Sequence, residues 1–270
     1  MAAWRTWALV AILAAAAATT GAPARAGGDP VLEGEAKKKH DDEVKRLLAE
    51  LRGEKNKVLV AGHIERIGAT GGRAGRDALI AFATGNKNQE YVGKAFTALA
   101  KIGGATVIDF LSGKEGVRSG DTLVQIEAAG ALASTKDPTA AKALLDVATN
   151  PSTKSEVLGA VCKAAAQVAP KDEKVVETLL DLTKAVKDMT RQYAADAIGW
   201  LASDAAIARL AEMLETERNG GVRTGACRGL GNTMRADAIP YLEKAIAQDK
   251  ALQVKDAAST AITKIRGGAK

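Results

Sequence analysis

Aliphatic residues return along this chain at a nearly constant interval, and this spacing is the feature that most limits how it can fold. Each follows a small residue late in a helix-like segment, and successive members lie 32 to 35 residues apart. An internal period of this length is typical of arrays of repeated helix pairs. The members of this anchor column are Ile64, Leu99, Leu132, Ala165, Ile198, Leu230 and Ile262.

Neighbouring columns indicate that the repeated segments are helical. Apolar residues or threonine stand three positions after each anchor, and alanine or valine stands four positions before it, as Ile102 and Ala95 do around Leu99. Offsets of 3 and 4 fall on one face of an α-helix. Strand-like alternation is almost absent, and short turns such as residues 134–138 carry capping residues and proline. The sequence therefore predicts an all-α chain, an α-α superhelix of about seven helix pairs.

The repeated segments resemble HEAT repeats, in the short bacterial form related to the phycobilisome-lyase-type HEAT-like repeat. The family pattern is roughly V-R-x-x-A-x-x-A-L-G-x-I-G-D-x-x-A-I-P-x-L. It is matched by VRTGACRGLGNTMRADAIPYL (222–242), YVGKAFTALAKIGGATVIDFL (91–111) and TRQYAADAIGWLASDAAIARL (190–210). The resemblance covers about residues 40–266 and implies a solenoid whose helix pairs are stable only when stacked.

The N-terminal residues differ from the repeats and predict an export signal. Arg5 precedes an uncharged apolar run at 7–18, and positions 24–26 form an A-x-A cleavage pattern. The run is short for a bilayer-spanning helix, so a retained membrane anchor is the less favoured alternative. We expect an exported protein, periplasmic or secreted, with no stable membrane insertion after cleavage. The predicted divisions are a signal peptide at 1–26, a flexible leader at 27–39, the repeat array at 40–266 and a tail at 267–270.

Few residues suit catalysis or metal binding. His40 and His63 are the two histidines, neither has a companion at metal-ligand spacing, and there is no His-Glu dipeptide of the kind that the similar deoxyhypusine hydroxylases use to hold iron. The glycine-rich stretch 68–76 lacks the Lys-Ser/Thr of a phosphate-binding loop and predicts a flexible joint. Cys162 and Cys227 stand two repeats apart, ~20 Å by helix diameters, whereas a disulfide needs Cα atoms within about 7 Å. We expect free thiols, no metal, no cofactor and no catalytic activity.

The second helix of each unit leaves one side clear of the anchor contacts. In HEAT-like arrays these helices line the concave surface. In the middle of the array this side carries an aromatic residue with amides and charges, a composition typical of recognition surfaces. A solvated helix face, with the tryptophan packed over its neighbours, is the alternative. The candidate partner-binding residues are Lys163, Gln167, Gln192, Asp196, Trp200, Arg228 and Asn232.

Together these patterns predict an exported HEAT-repeat scaffold that binds a protein or peptide partner on its concave face. A lyase-like or other enzyme with a site in the central concave groove is the alternative. Nucleic acid is not an expected partner, because the net charge of +6 is mild and spread along the chain. Loss of Arg5 and Arg25 with the signal peptide would lower that charge by two.

Overall fold

The computed structural model describes residues 34–54 and 56–268, and the predicted signal peptide lies outside them. Regular structure in this part of the chain is entirely helical, and none of its helices is both long enough and apolar enough to cross a bilayer. The helices are α1 (Gly34–Gly53), α2 (Lys57–Thr70), α3 (Gly72–Gly85), α4 (Gln89–Ile102), α5 (Ala105–Ser112), α6 (Thr122–Thr135), α7 (Ala141–Ala148), α8 (Ser155–Val168), α9 (Glu173–Leu182), α10 (Asp188–Ile198), α11 (Asp204–Thr216), α12 (Gly220–Asn232), α13 (Ile239–Gln248) and α14 (Leu252–Gly268).

These helices form seven antiparallel-type pairs within the described residues, from α1/α2 to α13/α14. Each even-numbered helix also packs against the next even-numbered helix, so the six contacts from α2 to α14 make one continuous layer. The odd-numbered helices contact mainly their own pair partner. The predicted all-α superhelix of helix pairs is therefore confirmed.

The anchor column forms the centre of this stack. Six of its seven members are fully buried, and Ile262 in the last pair is 7% exposed. One continuous apolar cluster runs from Leu47 in α1 to Ile265 in α14. Burial of a leucine- or isoleucine-sized side chain stabilises a fold by about 1.5–3 kcal/mol. Since each pair supplies only part of this cover, stability depends on contact with the previous and the next pair.

The even-numbered helices begin at matching repeat positions. The side chains of Asn56, Asn88, Asp121 and Asn219 each accept a hydrogen bond from a backbone N–H in the first turn of α2, α4, α6 and α12. Such caps contribute about 1 kcal/mol each to helix stability. Lys154 and Lys187 stand at the equivalent positions before α8 and α10 and provide no side-chain cap.

Two partly buried arginines tie consecutive units together near the C-terminal end of the array. The Nε of Arg191 donates to Glu217 at 2.8 Å, and the Nε of Arg223 donates to Asp249 at 2.6 Å. Each guanidinium also donates to two backbone carbonyls of the turn before its helix. The hydrogen bond from Arg223 holds the pKa of Asp249 below its ordinary value. These arginines match the Arg of the V-R pattern and fix the start of α10 and α12.

The structure differs from the sequence-based expectations at two places near its start. Helix α1 begins at Gly34, so residues 34–39 of the predicted leader are helical. The predicted glycine-rich joint at 68–76 is almost entirely helical, and only Gly71 separates α2 from α3. Gly71 and Gly72 have φ values of 70° and 63°, which glycine adopts readily. His40 Nε2 lies 3.0 Å from the carbonyl oxygen of Gly71, so this joint is held by α1.

Candidate functional site

A partly open groove of about 840 Å³ lies on the layer of even-numbered helices, between α6, α8 and α10. Glycine and alanine form much of its lining, including Gly130, Gly159 and Ala160. A Cβ atom on Gly159 would lie 2.6 Å from Cδ1 of Tyr193. Glycine at this position therefore lets the tyrosine ring of α10 pack onto α8. The groove exists because small residues occupy the middle of three stacked helices.

Trp200 lies at one side of the groove, in a 3-10 turn (Gly199–Leu201) that follows α10. Its ring is half-buried. The Nζ atoms of Lys163 and Lys264 each lie 5.2 Å from the ring centroid. A cation within about 6 Å of an indole centroid is attracted to the ring by about 0.5–1 kcal/mol at exposed sites. Two positive charges are thus held beside one aromatic surface.

Asp196 is linked to these charges through an amide. Asn232 Nδ2 donates to Asp196 Oδ1 at 2.6 Å, and Lys264 Nζ donates to Asn232 Oδ1 at 2.6 Å. Burial raises the pKa of Asp196 above its ordinary value, and the hydrogen bond from Asn232 acts in the opposite direction. The charges of Arg228, Lys163 and Lys264 also favour the carboxylate. Asp196 is therefore a half-buried acid turned toward the protein's own donors.

Positive charge exceeds negative charge in and beside the groove. Four cationic side chains and two carboxylates meet there, and in the described part of the chain none of the four cations forms an ion pair with a carboxylate. The cations are Lys136, Lys163, Arg228 and Lys264, and the carboxylates are Glu156 and Asp196. An anionic group entering the groove would find donors that the protein itself leaves available.

Six of the seven sequence-predicted site residues meet at this groove or beside it. Four line it, Asn232 joins through its bond to Asp196, and Arg228 on α12 acts on the Asp196 carboxylate. The four lining residues are Lys163, Gln167, Asp196 and Trp200. Their role in binding a partner stays a prediction.

Gln192 lies outside the groove. Its side-chain Oε1 lies 3.0 Å from where a Cβ of Gly221 would be, and its backbone oxygen lies 2.5 Å from the equivalent point on Gly225. It therefore fills the contact between α10 and α12. Its helical position predicts the open side of α10. The sequence pattern does not show how closely Gly221 and Gly225 let α12 approach.

The structure adds Lys136, Glu156, Tyr193 and Lys264 to the predicted set. A sequence signal existed for Lys264, because Trp200, Asn232 and Lys264 occupy the same repeat position at intervals of 32 residues. The long lysine side chain reaches from α14 past Asn232 to the ring. No pattern signals Tyr193, whose place depends on the space left by Gly159.

The histidines and cysteines lie outside the lining of the groove. His40 contacts the α2–α3 joint, and His63 Nδ1 lies 3.4 Å from Glu50 Oε2. Cys162 and Cys227 are free and buried, and burial raises the pKa of each thiol to about 12. Across residues 34–54 and 56–268, no cluster of three or more His, Cys, Asp or Glu side chains is arranged to hold a metal ion. The polar groups that line the groove include carboxyl, ammonium, amide and phenol groups, with the Arg228 guanidinium beside it.

Comparison with known sequences gives a family match. The family described as HEAT repeats matches residues 114–192 and 182–263, which together span more than half of the chain. The predicted resemblance to HEAT repeats is thereby confirmed. No curated protein matches this chain by sequence.

Solved structures with similar helical arrays share little sequence with it. The CpcE–CpcF complex of phycocyanin lyase from Nostoc sp. PCC7120 is 18% identical with a TM-score of 0.47, over 92% of this chain and 98% of that chain. Human deoxyhypusine hydroxylase in complex with glycerol is 16% identical with a TM-score of 0.42, over 86% and 98%. A computationally designed cyclic homooligomer is 20% identical with a TM-score of 0.21, over 85% and 90%.

One expectation from the sequence is wrong. The scarcity of histidine and of metal-ligand spacing led us to expect a chain without catalytic activity. Two of the similar solved structures are a lyase and a hydroxylase, so helical arrays of this kind include enzymes. The fold therefore does not exclude catalysis. At 16–18% identity, these similarities do not indicate a reaction for this chain.

Proposed function

Because this chain belongs to the HEAT-repeat family, we propose that it is an exported scaffold that holds a protein or peptide partner in the groove between α6, α8 and α10. Stacked helix pairs present an extended surface on which several units contribute to one ligand. The partner would lie across at least three units, against Trp200 and the polar residues around it. An aromatic residue amid charged and amide groups is the composition of binding hot spots.

The observation that carries this proposal is the pair of lysines, Lys163 and Lys264, that lie over a half-buried tryptophan and have no carboxylate within ion-pair distance in the described part of the chain. A lysine that only faces water needs no aromatic contact, and Lys174, for example, pairs instead with Glu177 of its own helix at 3.1 Å. Here the two ammonium groups of Lys163 and Lys264 converge on one ring. Convergent donors next to an apolar surface suit a ligand with both polar and apolar parts.

The export part of the proposal rests on residues 1–26. An apolar run behind Arg5 and the A-x-A pattern at 24–26 are the features of a secretory signal. Mass spectrometry of the protein purified from its source cells should give a chain that begins at Gly27. A chain that retains Trp4 and Trp7 in the cytoplasmic fraction would contradict export without affecting the groove.

A second candidate function is catalysis in the same groove. The observation that favours it is the half-buried Asp196, whose pKa burial raises, beside the Tyr193 ring. Perturbed carboxyl groups in grooves are common among general acids and bases. A panel of ester, amide and phosphate substrates tests this candidate, because turnover that Asp196→Asn abolishes while partner binding persists would establish catalysis.

Partner capture tests the scaffold proposal directly. The chain is immobilised as wild type, as Trp200→Ala/Lys163→Gln, and as a control with Lys142→Gln on the odd-numbered helix α7, where Lys142 is exposed. An extract of exported proteins is passed over each, and bound proteins are identified by mass spectrometry. A partner retained by wild type and control but lost from the groove variant supports the proposal. Equal retention by all three places the binding surface elsewhere and refutes it, provided circular dichroism shows that the variant is folded.

A further inference from the structure

We infer that the groove around Trp200 selects an acidic peptide segment, in which carboxylates bridge Lys163 and Lys264 while an apolar side chain lies against the indole. This inference rests on the proposed scaffold function and names the chemistry of the partner. Its basis is the charge of the groove together with the geometry of the two ammonium groups.

The cations of the groove have donors to spare. Lys163 contacts the Trp200 ring, and Lys264 uses one hydrogen bond on the Asn232 amide. An ammonium carries three N–H donors, and neither lysine has a carboxylate partner in the described part of the chain. The half-buried Asp196 already accepts a hydrogen bond from Asn232 at 2.6 Å. An incoming carboxylate would therefore meet available positive charge and would break no existing ion pair.

The two lysines lie close enough together for one extended peptide to reach both. Each Nζ lies 5.2 Å from the same ring centroid, so the two nitrogens are at most about 10 Å apart. Side chains at alternate positions of an extended strand point the same way at a separation of about 7 Å. Acidic residues at positions i and i+2 would thus reach both ammonium groups. The indole between them offers an apolar surface to the next side chain.

The remaining groups of the groove favour a peptide over a nucleic acid. Between its acidic side chains a peptide carries backbone N–H donors that Glu156 and Asp196 can accept, whereas a phosphate backbone presents only acceptor oxygens to these carboxylates. Single-stranded nucleic acids usually bind to rows of aromatic residues. In the groove, Trp200 and Tyr193 are the aromatic residues, and the Tyr193 ring is packed against Gly159.

A second groove on the same layer has a lining with a different balance of charge. This smaller groove of about 340 Å³ lies between α2, α4 and α6. Three glutamates and two lysines line it, so carboxylates exceed cations by one. The residues are Glu65, Glu90, Glu127, Lys94 and Lys101. The lining of the groove that contains Trp200 has two lysines against two carboxylates, and the excess of positive charge comes from Arg228 and Lys264 beside it.

Fluorescence of Trp200 tests the inference in the full chain. Trp4→Phe and Trp7→Phe leave Trp200 as the single indole. The probes are a synthetic peptide of repeated Glu-Ser-Glu-Leu, the same peptide with Gln in place of Glu, and an oligothymidylate. We expect the acidic peptide to shift the emission, the glutamine peptide to bind far more weakly, and salt to reduce the affinity of the acidic peptide.

Matched charge variants assign the effect to the two lysines. Lys163→Gln/Lys264→Gln should weaken binding of the acidic peptide about tenfold, since two solvent-exposed charge pairs each contribute modestly to affinity. The control Lys142→Gln/Lys250→Gln removes the same charge from two exposed sites outside the groove lining and should change affinity little.

The outcomes separate this inference from the scaffold proposal. Equal binding of the glutamine peptide, or tighter binding of oligothymidylate, overturns the acidic-peptide inference. If the captured partner is lost from Trp200→Ala/Lys163→Gln but retained by Lys163→Gln/Lys264→Gln and insensitive to salt, the scaffold proposal stands and the inference fails. If partner capture is indifferent to the groove variant, both fail.

Discussion

Replacing Gly229 with alanine should separate two stacked helices and lower stability. Gly229 lies on α12, and a Cβ there would come within 2.2 Å of the Ala195 carbonyl oxygen on α10 and 2.8 Å of a Leu210 methyl carbon. Real Cβ contacts are essentially never shorter than 3.0 Å, so α12 must move by on the order of 1 Å. Overpacking of this kind costs about 1–3 kcal/mol. Alanine's greater helix propensity recovers about 1 kcal/mol at most. Because the closest contact is to a backbone oxygen at 2.2 Å, we place the overpacking cost in the upper part of its range and expect a net loss of about 1–2 kcal/mol.

Gly62→Ala is the matched control for this prediction. Gly62 lies within α2, and nothing lies within 4 Å of its Cβ position. The same substitution there should raise the free energy of unfolding by about 0.5–1 kcal/mol through propensity alone. Urea titration followed by circular dichroism measures both variants. A Gly229→Ala protein that is as stable as the wild type, with Gly62→Ala behaving as expected, would refute the close stacking of α10 and α12.

Three further predictions follow from buried polar groups. Asp249→Ala removes the buried partner of Arg223 and should lower the free energy of unfolding by about 3 kcal/mol at neutral pH in urea titration. Because Arg223 lowers the pKa of Asp249, this stabilisation should fade in acid, and an undiminished loss at low pH would contradict the assignment. Burial raises the pKa of Asp196, so this carboxyl favours the fold while protonated, and its contribution is lost as pH rises through the folded pKa. The melting temperature of the wild type should therefore fall relative to that of Asp196→Asn as the pH is raised from acid to neutral. A difference in melting temperature that stays constant with pH would count against the burial effect. Burial raises the pKa of Cys162 and Cys227 to about 12, so iodoacetamide should leave both thiols unmodified in the native protein at neutral pH. In denaturant it should alkylate both. Mass analysis that finds alkylation of the native protein would show that the thiols are accessible.

The period of the sequence was enough to predict the stacked helix pairs. Anchors such as Ile64, Leu132 and Leu230 are fully buried because an apolar residue that returns every 32 to 35 positions can be covered only by the neighbouring copy. Glycine content misled the prediction at 68–76. There, Gly71 and Gly72 serve a tight joint with positive φ, and the rest of the stretch continues the helices.

The candidate site was predictable in position but not in detail. Helical geometry placed Lys163, Asp196 and Trp200 on the open side of their helices, and all three line the groove. It also selected Gln192, which the close approach of α12 covers. The contact between Lys264 and Trp200 joins helices two units apart, and its length depends on backbone spacing that a sequence pattern does not encode.

Hydrogen exchange of the protein with its captured partner, followed by mass spectrometry, tests most directly whether the layer of even-numbered helices is the binding surface. Binding in the groove predicts slower exchange in peptides that cover α8 (Ser155–Val168) and residues 188–201, with α7 and α9 unchanged. Protection confined to odd-numbered helices, or none in α8 and α10, would show that the partner binds elsewhere and would contradict the groove as the functional site.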